Sequence, residues 1–302
     1  MKLIESKAEY IPQEEGLEGI YKQIELAGRT AYHSLDKITP DSAKDFVDRM
    51  IKSKHGAALE HGTIYLKALS DIEDTNFWII ANNPYARAVN DDINNITYIT
   101  TNLRAVIELF PTTWHGFLNT YMCEPIEQYE KRYTMRFTCS RAIAQELTRH
   151  RVFSFLMESQ RYINYSKERH GSGITFIKPS WYDKYSETLL NKDGHRPDGT
   201  SDMFTSEEDF EGQLRMAESC YIAAMIAGVK PQEARDVLPN ATKTEIIMTG
   251  FSSDWRFLMD LRLFEKTGKV APDMRDLMQK TQKAMQEAGI WEDIMKYPSK
   301  FE

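Results

Sequence analysis

The stretch RHRVFSFLMESQRY, Arg149 to Tyr162, gathers Arg149, His150, Arg151 and Arg161 around Ser154, Glu158 and Ser159. The whole chain of 302 residues carries 38 Lys and Arg against 45 Asp and Glu, a formal charge of -7, so this stretch reverses the general sign. A phosphate dianion asks for guanidinium forks and hydroxyl or backbone donors that converge on it. Ser159 and Arg161, two residues apart, could offer both from one extended segment. The bland alternative is a solvated or ion-paired helix end, where arginine complements the macrodipole. On chemistry alone both stand.

Three further places hold residues able to do chemistry. HGAALEH offers His55, Glu60 and His61, which are metal-ligand types. Their spacing is not the four-residue helical pair of HExxH, so no metal site is expected, and a turn into a strand is the alternative. QEARDVLP places Arg235 beside Asp236, a common helix-end pairing. DLRLF sets Arg262 among Leu261, Leu263 and Phe264. A charge inside an apolar run must find a partner or snorkel to water. There is no GxGxxG, no GxxxxGK[ST] and no GxSxG, which removes three common nucleotide and hydrolase signatures. Cys123, Cys139 and Cys220 are odd in number and lack any CxxC pairing, which points to free thiols.

Periodicity supplies the elements that must carry these residues. Ile20, Ile24 and Ala27 recur at helical spacing, followed by AGRTAYHS. Residues 41–54 predict a helix with Phe46, Val47 and Met50 on one face and Asp41 as cap. TIYLKAL and RYTMRFTCS at 132–140 alternate as strands. Between them, FWIIANNPYARAV and TTNLRAVIELF read as helical patches. RAIAQELTRHRV is helical, with Ile143 and Leu147 four apart. GSGITFIKPSWY predicts a strand ending at Pro179. Residues 191–209 predict a polar loop, and a helix at about 210–228 stops at Gly228. PQEARDVLP leads into a further helix that ends around FLMDLRLF, and 272–295 is helical again.

The hydrophobic fraction of 41% and charged fraction of 27% are ordinary globular usage. No apolar run approaches a membrane span. MKLIESKAEYIPQEEG lacks the apolar stretch of a signal peptide, so a cytoplasmic protein with no membrane partner is expected. Net acidity argues against general nucleic-acid binding.

RHR-xx-S-xxxx-S-x-RY resembles the signature of the flavin-dependent thymidylate synthases. Arg149, His150, Arg151, Ser154, Ser159, Arg161 and Tyr162 fall at its spacing. AGRTAYHS is similar to the family's N-terminal AxR segment, HGAALEH to its H-x-[ST]-x-x-EH segment, and EARDVLP followed by DLR to its C-terminal half. The resemblance covers most of the chain outside 71–131 and 183–210, which look like insertions into a single domain over 1–302. It implies an α/β (α+β) fold, a mixed sheet with flanking helices, assembled as a homotetramer with active sites where subunits meet. It implies FAD as cofactor, dUMP as substrate, methylenetetrahydrofolate as carbon donor and NADPH as reductant, giving dTMP.

The resemblance also assigns roles. Glu146, Arg149, Glu158, Ser159, Gln160 and Arg161 would hold dUMP, and Arg235 would reach its phosphate from a neighbouring subunit. Arg262 would contact uracil and favour ionisation at N3, the catalytic role. His55, Arg149, His150 and Arg151 would hold the flavin. The chain departs from the family pattern at Ala57, Leu156, Met157, Phe251 and Phe257. Backbone contacts at Ala57, Met157 and Phe257, with Ser252 and Ser253 nearby, would then serve the flavin. The chemistry suits an arginine: uracil C5 is a poor nucleophile, and a permanent cation beside the ring stabilises the charge that makes it attack. No cysteine nucleophile is required. Two other readings remain. One is an RNA- or single-strand-binding module, because Phe153, Phe155, Tyr162 and Tyr165 interleave with the arginines. The other is a relative that binds nucleotide but has lost its flavin.

Overall fold

The computed structural model describes residues 1–166, 173–184 and 206–301. Its strands are Lys2–Ile4 (β1), Lys7–Ile11 (β2), Thr63–Leu69 (β3), Arg87–Asp91 (β4), Ile96–Asn102 (β5), Arg132–Ser140 (β6), Ser154–Met157 (β7), Thr175–Ile177 (β8) and Lys243–Phe251 (β9). The first helices are Gly16–Ala31 (α1), Ser42–Lys52 (α2), Gly56–Leu59 (α3), Thr75–Ala81 (α4), Leu103–Leu109 (α5) and Trp114–Tyr121 (α6). The others are Arg141–Leu147 (α7), Ser206–Ile226 (α8), Pro231–Ala234 (α9), Ser252–Arg262 (α10), Pro272–Glu287 (α11) and Trp291–Met295 (α12).

The molecule is a mixture of helices and sheets, but its main sheet is not mixed. Its four strands run in the order β2-β6-β9-β7 and every pairing is antiparallel. A second antiparallel sheet has the order β3-β5-β4. Among the described residues, parallel pairing occurs only between β1 and β8. The centre of the main sheet explains why β9 escapes a search by periodicity. Ile246, Ile247 and Met248 are all buried, since both faces of the strand are covered. A strand covered on both faces reads as a continuous apolar run, which short windows cannot tell from buried helix. The single helix expected from PQEARDVLP to FLMDLRLF is therefore α9, a 3-10 turn at Arg235–Val237, β9 and then α10.

The segment 71–131 also departs from its expected helices. FWIIANNPYARAV is helical only to Ala81. Pro84 cannot continue a helix, and the chain turns through a hydrogen bond from the Ala86 amide to the Asn83 carbonyl before entering β4. TTNLRAVIELF begins as the end of β5. Its Asn102 side chain accepts from the Ala105 amide at 3.0 Å and so starts α5. This segment and β3 share a core with the N-terminal helices: Ile24, Phe46 and Val47 meet Ile64 and Leu66 of β3 and Phe77, Ile99 and Val106 of the segment. A second core joins Met135, Phe137 and Met248 to Trp255, Leu258, Met274 and Leu277. A third gathers Ile163, Phe176, Leu214 and Tyr221. Most of the expected loop at 191–209 lies outside the described residues, and α8 begins at Ser206, before its expected start.

Candidate active site

Strand β7 is the axis of the site, because the basic stretch is wrapped around it. Before it, α7 starts on a Ser140 cap, whose hydroxyl accepts from the Ile143 amide at 3.3 Å. The helix stops at Leu147. The His150 amide then donates to the Leu147 carbonyl, and the Phe153 amide to the His150 carbonyl, a tight turn that fixes the RHR residues. Phe153 anchors the turn. Its ring lies where a Cβ on Gly250 would stand, 2.3 Å from the nearest ring atom, and it meets the Trp255 ring edge-on at 4.8 Å between centroids. Only glycine at 250 permits that approach to β9.

At this end of β7, Arg149 and Arg151 are exposed while His150 is buried. Arg262, the last residue of α10, donates from Nε to His150 Nε2 at 3.1 Å. Its Nη1 lies 3.9 Å from Glu146 Oε2. Burial and the adjacent Arg262 cation push the His150 pKa down to about 4. Four residues singled out from the sequence, Glu146, Arg149, His150 and Arg262, thus belong to one neighbourhood drawn from α7, its following turn and α10.

At the other end of β7 the chain turns under α1. The Ser159 amide donates to the Ala31 carbonyl at 3.0 Å, which ties the two segments together. Glu158 is 1% exposed and its carboxylate faces inward. Oε2 accepts from Lys243 Nζ at 2.9 Å and from the Glu245 amide at 3.1 Å. Oε1 accepts from the Tyr165 hydroxyl at 3.4 Å and lies 3.5 Å from His33 Nδ1. Burial alone would raise its pKa, but the His33 hydrogen bond and the Lys243 charge outweigh it and hold the group below its ordinary value. Glu158 is therefore an anchor for the Ser159–Arg161 turn. Gln160 is buried, with no hydrogen-bond partner for Nε2 among the described residues. Arg161 is exposed, its guanidinium 5.6 Å from the Tyr162 ring centre. Tyr162 in turn meets Tyr32, whose hydroxyl lies 3.4 Å from His55 Nδ1. A cavity of about 300 Å³ beside this group is lined by Tyr32, His33, Lys37 and Glu245 among others.

The remaining expected residues are more dispersed. Met157 is half-buried, its sulfur 3.7 Å from Arg141 Nη1. His55 and Ala57 are exposed at the start of α3. Arg235 is half-buried in the 3-10 turn after α9, with no hydrogen bond to Arg161 or Arg262 among the described residues. Ser252 is wholly buried, donating to the Lys131 carbonyl or to Asp293 Oδ2 at 3.1 and 3.0 Å. Its hydroxyl is committed inside the protein. The Ser253 amide donates to Glu130 Oε1, and the Phe257 ring stacks on Phe301 at 5.7 Å.

Sequence reasoning missed Lys243 and His33, the partners of Glu158. Lys243 and Glu245 lie two apart on β9 and face the same side, a signal hidden because β9 itself went unrecognised. It also missed a buried polar set under β7. Arg132 donates to the Glu60 carbonyl at 3.1 Å and to the Ser154 hydroxyl at 3.3 Å. His61, completely buried, pairs with Thr249 at 2.8 Å. Burial and Arg132 lower its pKa to about 3. No group of three or more metal-ligating side chains occurs among the described residues.

The two ends of β7 and their arginines lie within a stretch, residues 122–288, that matches the family model described as thymidylate synthase complementing protein. That stretch is more than half of the chain. The chain belongs to this family. Every sequence-predicted site residue except His55 and Ala57 falls inside the match. Among curated members, the flavin-dependent thymidylate synthase of Pyrococcus furiosus is 30% identical over 128 residues, 42% of this chain and 44% of that one. The Geobacter sulfurreducens enzyme is 29% identical over 127 residues, 42% and 45% respectively. The chain thus matches less than half the length of these two relatives. The Corynebacterium aurimucosum enzyme aligns over 280 residues at 23% identity, 88% of this chain and 79% of that one. The UMP/dUMP methylase PolB of Streptomyces cacaoi, bound with 5-Br dUMP, aligns over 96% of this chain and 92% of its own. The identity is 16% and the TM-score 0.41.

A flavin has chemically suitable partners in this member of the thymidylate synthase complementing family. Arg149 and Arg151 are exposed and have no ion pair among the described residues, so two guanidinium groups keep their donors free, the chemistry that a phosphate-bearing cofactor asks for.

Proposed function

We propose that this chain is a flavin-dependent thymidylate synthase that converts dUMP to dTMP. Methylenetetrahydrofolate gives the carbon and NADPH the reducing power, and FAD is the cofactor. The observation that carries this reading is the Arg262–His150 pair beside exposed Arg149 and Arg151, inside the stretch that defines the family. The reading includes a homotetramer in the cytoplasm, with Arg235 completing a neighbour's site, and one domain over 1–302 with 71–131 and 183–210 as additions. No helix among the described residues is long and apolar enough to cross a membrane.

Bound flavin supplies the reducing equivalents, and the protein binds and orients. Arg149 and Arg161 offer guanidinium forks to the nucleotide, with Ser159 and Gln160 on the same turn as hydrogen-bonding groups. Arg262 keeps its Nη nitrogens for the uracil ring while Nε is tied to His150. Its permanent charge favours the N3-ionised ring and so raises the nucleophilicity of C5. Arg151 and the His150 ring serve the flavin.

The test is direct. The purified chain, reconstituted with FAD, is given dUMP, methylenetetrahydrofolate and NADPH, and dTMP is measured by chromatography. Product formation with a yellow flavoprotein is expected. Absence of both product and bound flavin after reconstitution overturns the reading.

A further inference from the structure

The contact between Arg262 and His150 has a chemical consequence. A guanidinium nitrogen has protons and no lone pair to give, so it can only donate. Arg262 Nε donates to His150 Nε2 at 3.1 Å. Nε2 must then hold a lone pair, and a neutral imidazole with a bare Nε2 carries its proton on Nδ1. The ring cannot easily take a second proton, because it is buried and faces a permanent cation. The backbone around it is fixed by hydrogen bonds to Leu147 and from Phe153. His150 Nδ1 makes no hydrogen bond among the described residues.

We propose that Arg262 locks His150 in the neutral Nδ1–H tautomer, making His150 both a positioning residue for the Arg262 guanidinium and a fixed hydrogen-bond donor toward an acceptor oxygen or nitrogen of the bound ligand. The tautomer follows from the contact itself; the ligand beyond Nδ1 rests on the proposed function. The bond works in both directions. It chooses the histidine tautomer, and it holds the guanidinium plane through Nε so that the terminal nitrogens present a constant edge. Glu146, 3.9 Å from Nη1, restrains the other side. A guanidinium free to rotate would need to be ordered in each turnover, whereas a pinned one is oriented beforehand.

The first test needs no activity. The chain has 7 histidines, and labelling them with 15N gives a tractable solid-state spectrum of sedimented protein, with His150 assigned from its loss in His150→Gln. At neutral pH, wild type is expected to show His150 with a protonated Nδ1 and an unprotonated Nε2. In Arg262→Ala the preference should vanish. A wild-type ring protonated at Nε2, or at both nitrogens, overturns the proposal. The second test uses turnover. Gln can offer an acceptor oxygen near the place of Nε2; Phe keeps the ring shape without any acceptor. His150→Phe should lower kcat for dTMP about tenfold or more with a smaller change in KM for dUMP, and His150→Gln should recover part of the loss. In the Arg262→Ala background, His150→Phe should add little, because the two act as a unit. Equal losses in Gln and Phe, or full additivity with Arg262→Ala, overturn the positioning role. If wild type binds no flavin and makes no dTMP, the proposed function falls and the NMR result alone decides the tautomer.

Discussion

At the C-terminal end of β7 a carboxylate is hidden and fully matched, while beyond its N-terminal end two exposed arginines have no ion-pair partner among the described residues. Glu158 is 1% exposed and is met by Lys243, the Glu245 amide, Tyr165 and His33. Arg149 and Arg151 are exposed, with no ion pair among the described residues. A buried charge survives only when its partners repay its lost hydration. An exposed guanidinium costs nothing to leave unpaired and keeps its donors free. The two ends therefore do different work: one fixes the turn that carries Ser159, Gln160 and Arg161, and the other presents donors outward.

The sharpest way to break this comparison is to remove Glu158. Glu158→Ala leaves Lys243, its side chain only 12% exposed, with Glu245 as its carboxylate partner at 2.7 Å, and strips the Glu245 amide and the Tyr165 hydroxyl of their acceptor. Each lost hydrogen bond to a charged group is worth about 1.5–3 kcal/mol, so the two made by Oε2 at 2.9 and 3.1 Å together cost about 3–6 kcal/mol. Arg151→Ala, in contrast, should change stability by less than about 0.5 kcal/mol. Urea unfolding of both variants decides the matter: similar losses would mean that Glu158 is no anchor. Next in size is Arg262→Ala. Loss of an electrostatic donor used in the transition state lowers the rate about 100- to 1,000-fold. Flavin reduction by NADPH should persist, and lysine should not restore product because it lacks the planar fork. Near-normal turnover of the alanine variant at saturating dUMP would reduce Arg262 to a substrate clamp. Arg161 belongs with the outward donors, so Arg161→Ala should weaken dUMP by about 1.5–3 kcal/mol and deoxyuridine hardly at all. Calorimetry with both ligands tests it, and equal weakening removes Arg161 from the phosphate.

Acid separates the ends further. His150 has its pKa lowered to about 4 from 6.5, so the unfolded chain binds the extra proton first. Its contribution to stability is complete above about pH 6.5 and is lost as pH falls from there through 4. His61, lowered to about 3, acts in the same window and extends it downward. Glu158 has a depressed carboxyl, so its contribution is present above the ordinary value of 4.5 and is lost as pH falls through its lower folded value. Stability measured against pH should fall first with the histidines and then with Glu158. His150→Gln should flatten the curve above pH 4.5 and Glu158→Gln below it. A wild-type curve level from pH 6.5 to 4.5 contradicts both histidine environments.

The legible parts of the molecule were those with one clean period. RYTMRFTCS matches β6, and TIYLKAL matches β3, because each alternates. KTEIIMTGF did not announce itself, since Ile246, Ile247 and Met248 follow one another without a polar residue between them, whereas β6, just as buried, keeps Thr134, Arg136 and Thr138 between its apolar residues. The site divides similarly. Arginine in an apolar run drew attention to Arg262, and the structure gives it a partner in His150. Glu158 was placed with the nucleotide by the family resemblance alone. Its partner within the chain, Lys243, lies 85 residues away across a strand pairing that local pattern could not reveal.

The smallest expected effect concerns the cysteines, which neither end of β7 uses. Cys139 is buried within β6, and burial pushes its thiol up to about 12, so no thiolate is available near neutral pH. Cys123 lies 2.7 Å from the Tyr129 hydroxyl and is raised chiefly by burial. Cys220 is exposed on α8, a helix whose buried Leu214 and Tyr221 belong to the third core, away from the Arg262–His150 pair. The variant must respect these settings. Serine suits Cys123 and Cys220, whereas alanine suits Cys139, because a hydroxyl buried there would lack a partner. The combined variant should lose about 1 kcal/mol of stability, mostly at Cys139, and form dTMP within about twofold of wild type, since the proposed methyl transfer relies on charge beside the ring rather than on a thiolate. A folded triple variant that still oxidises NADPH yet makes no dTMP would assign one of the thiols to the chemistry. Restoring the cysteines one at a time would then identify it.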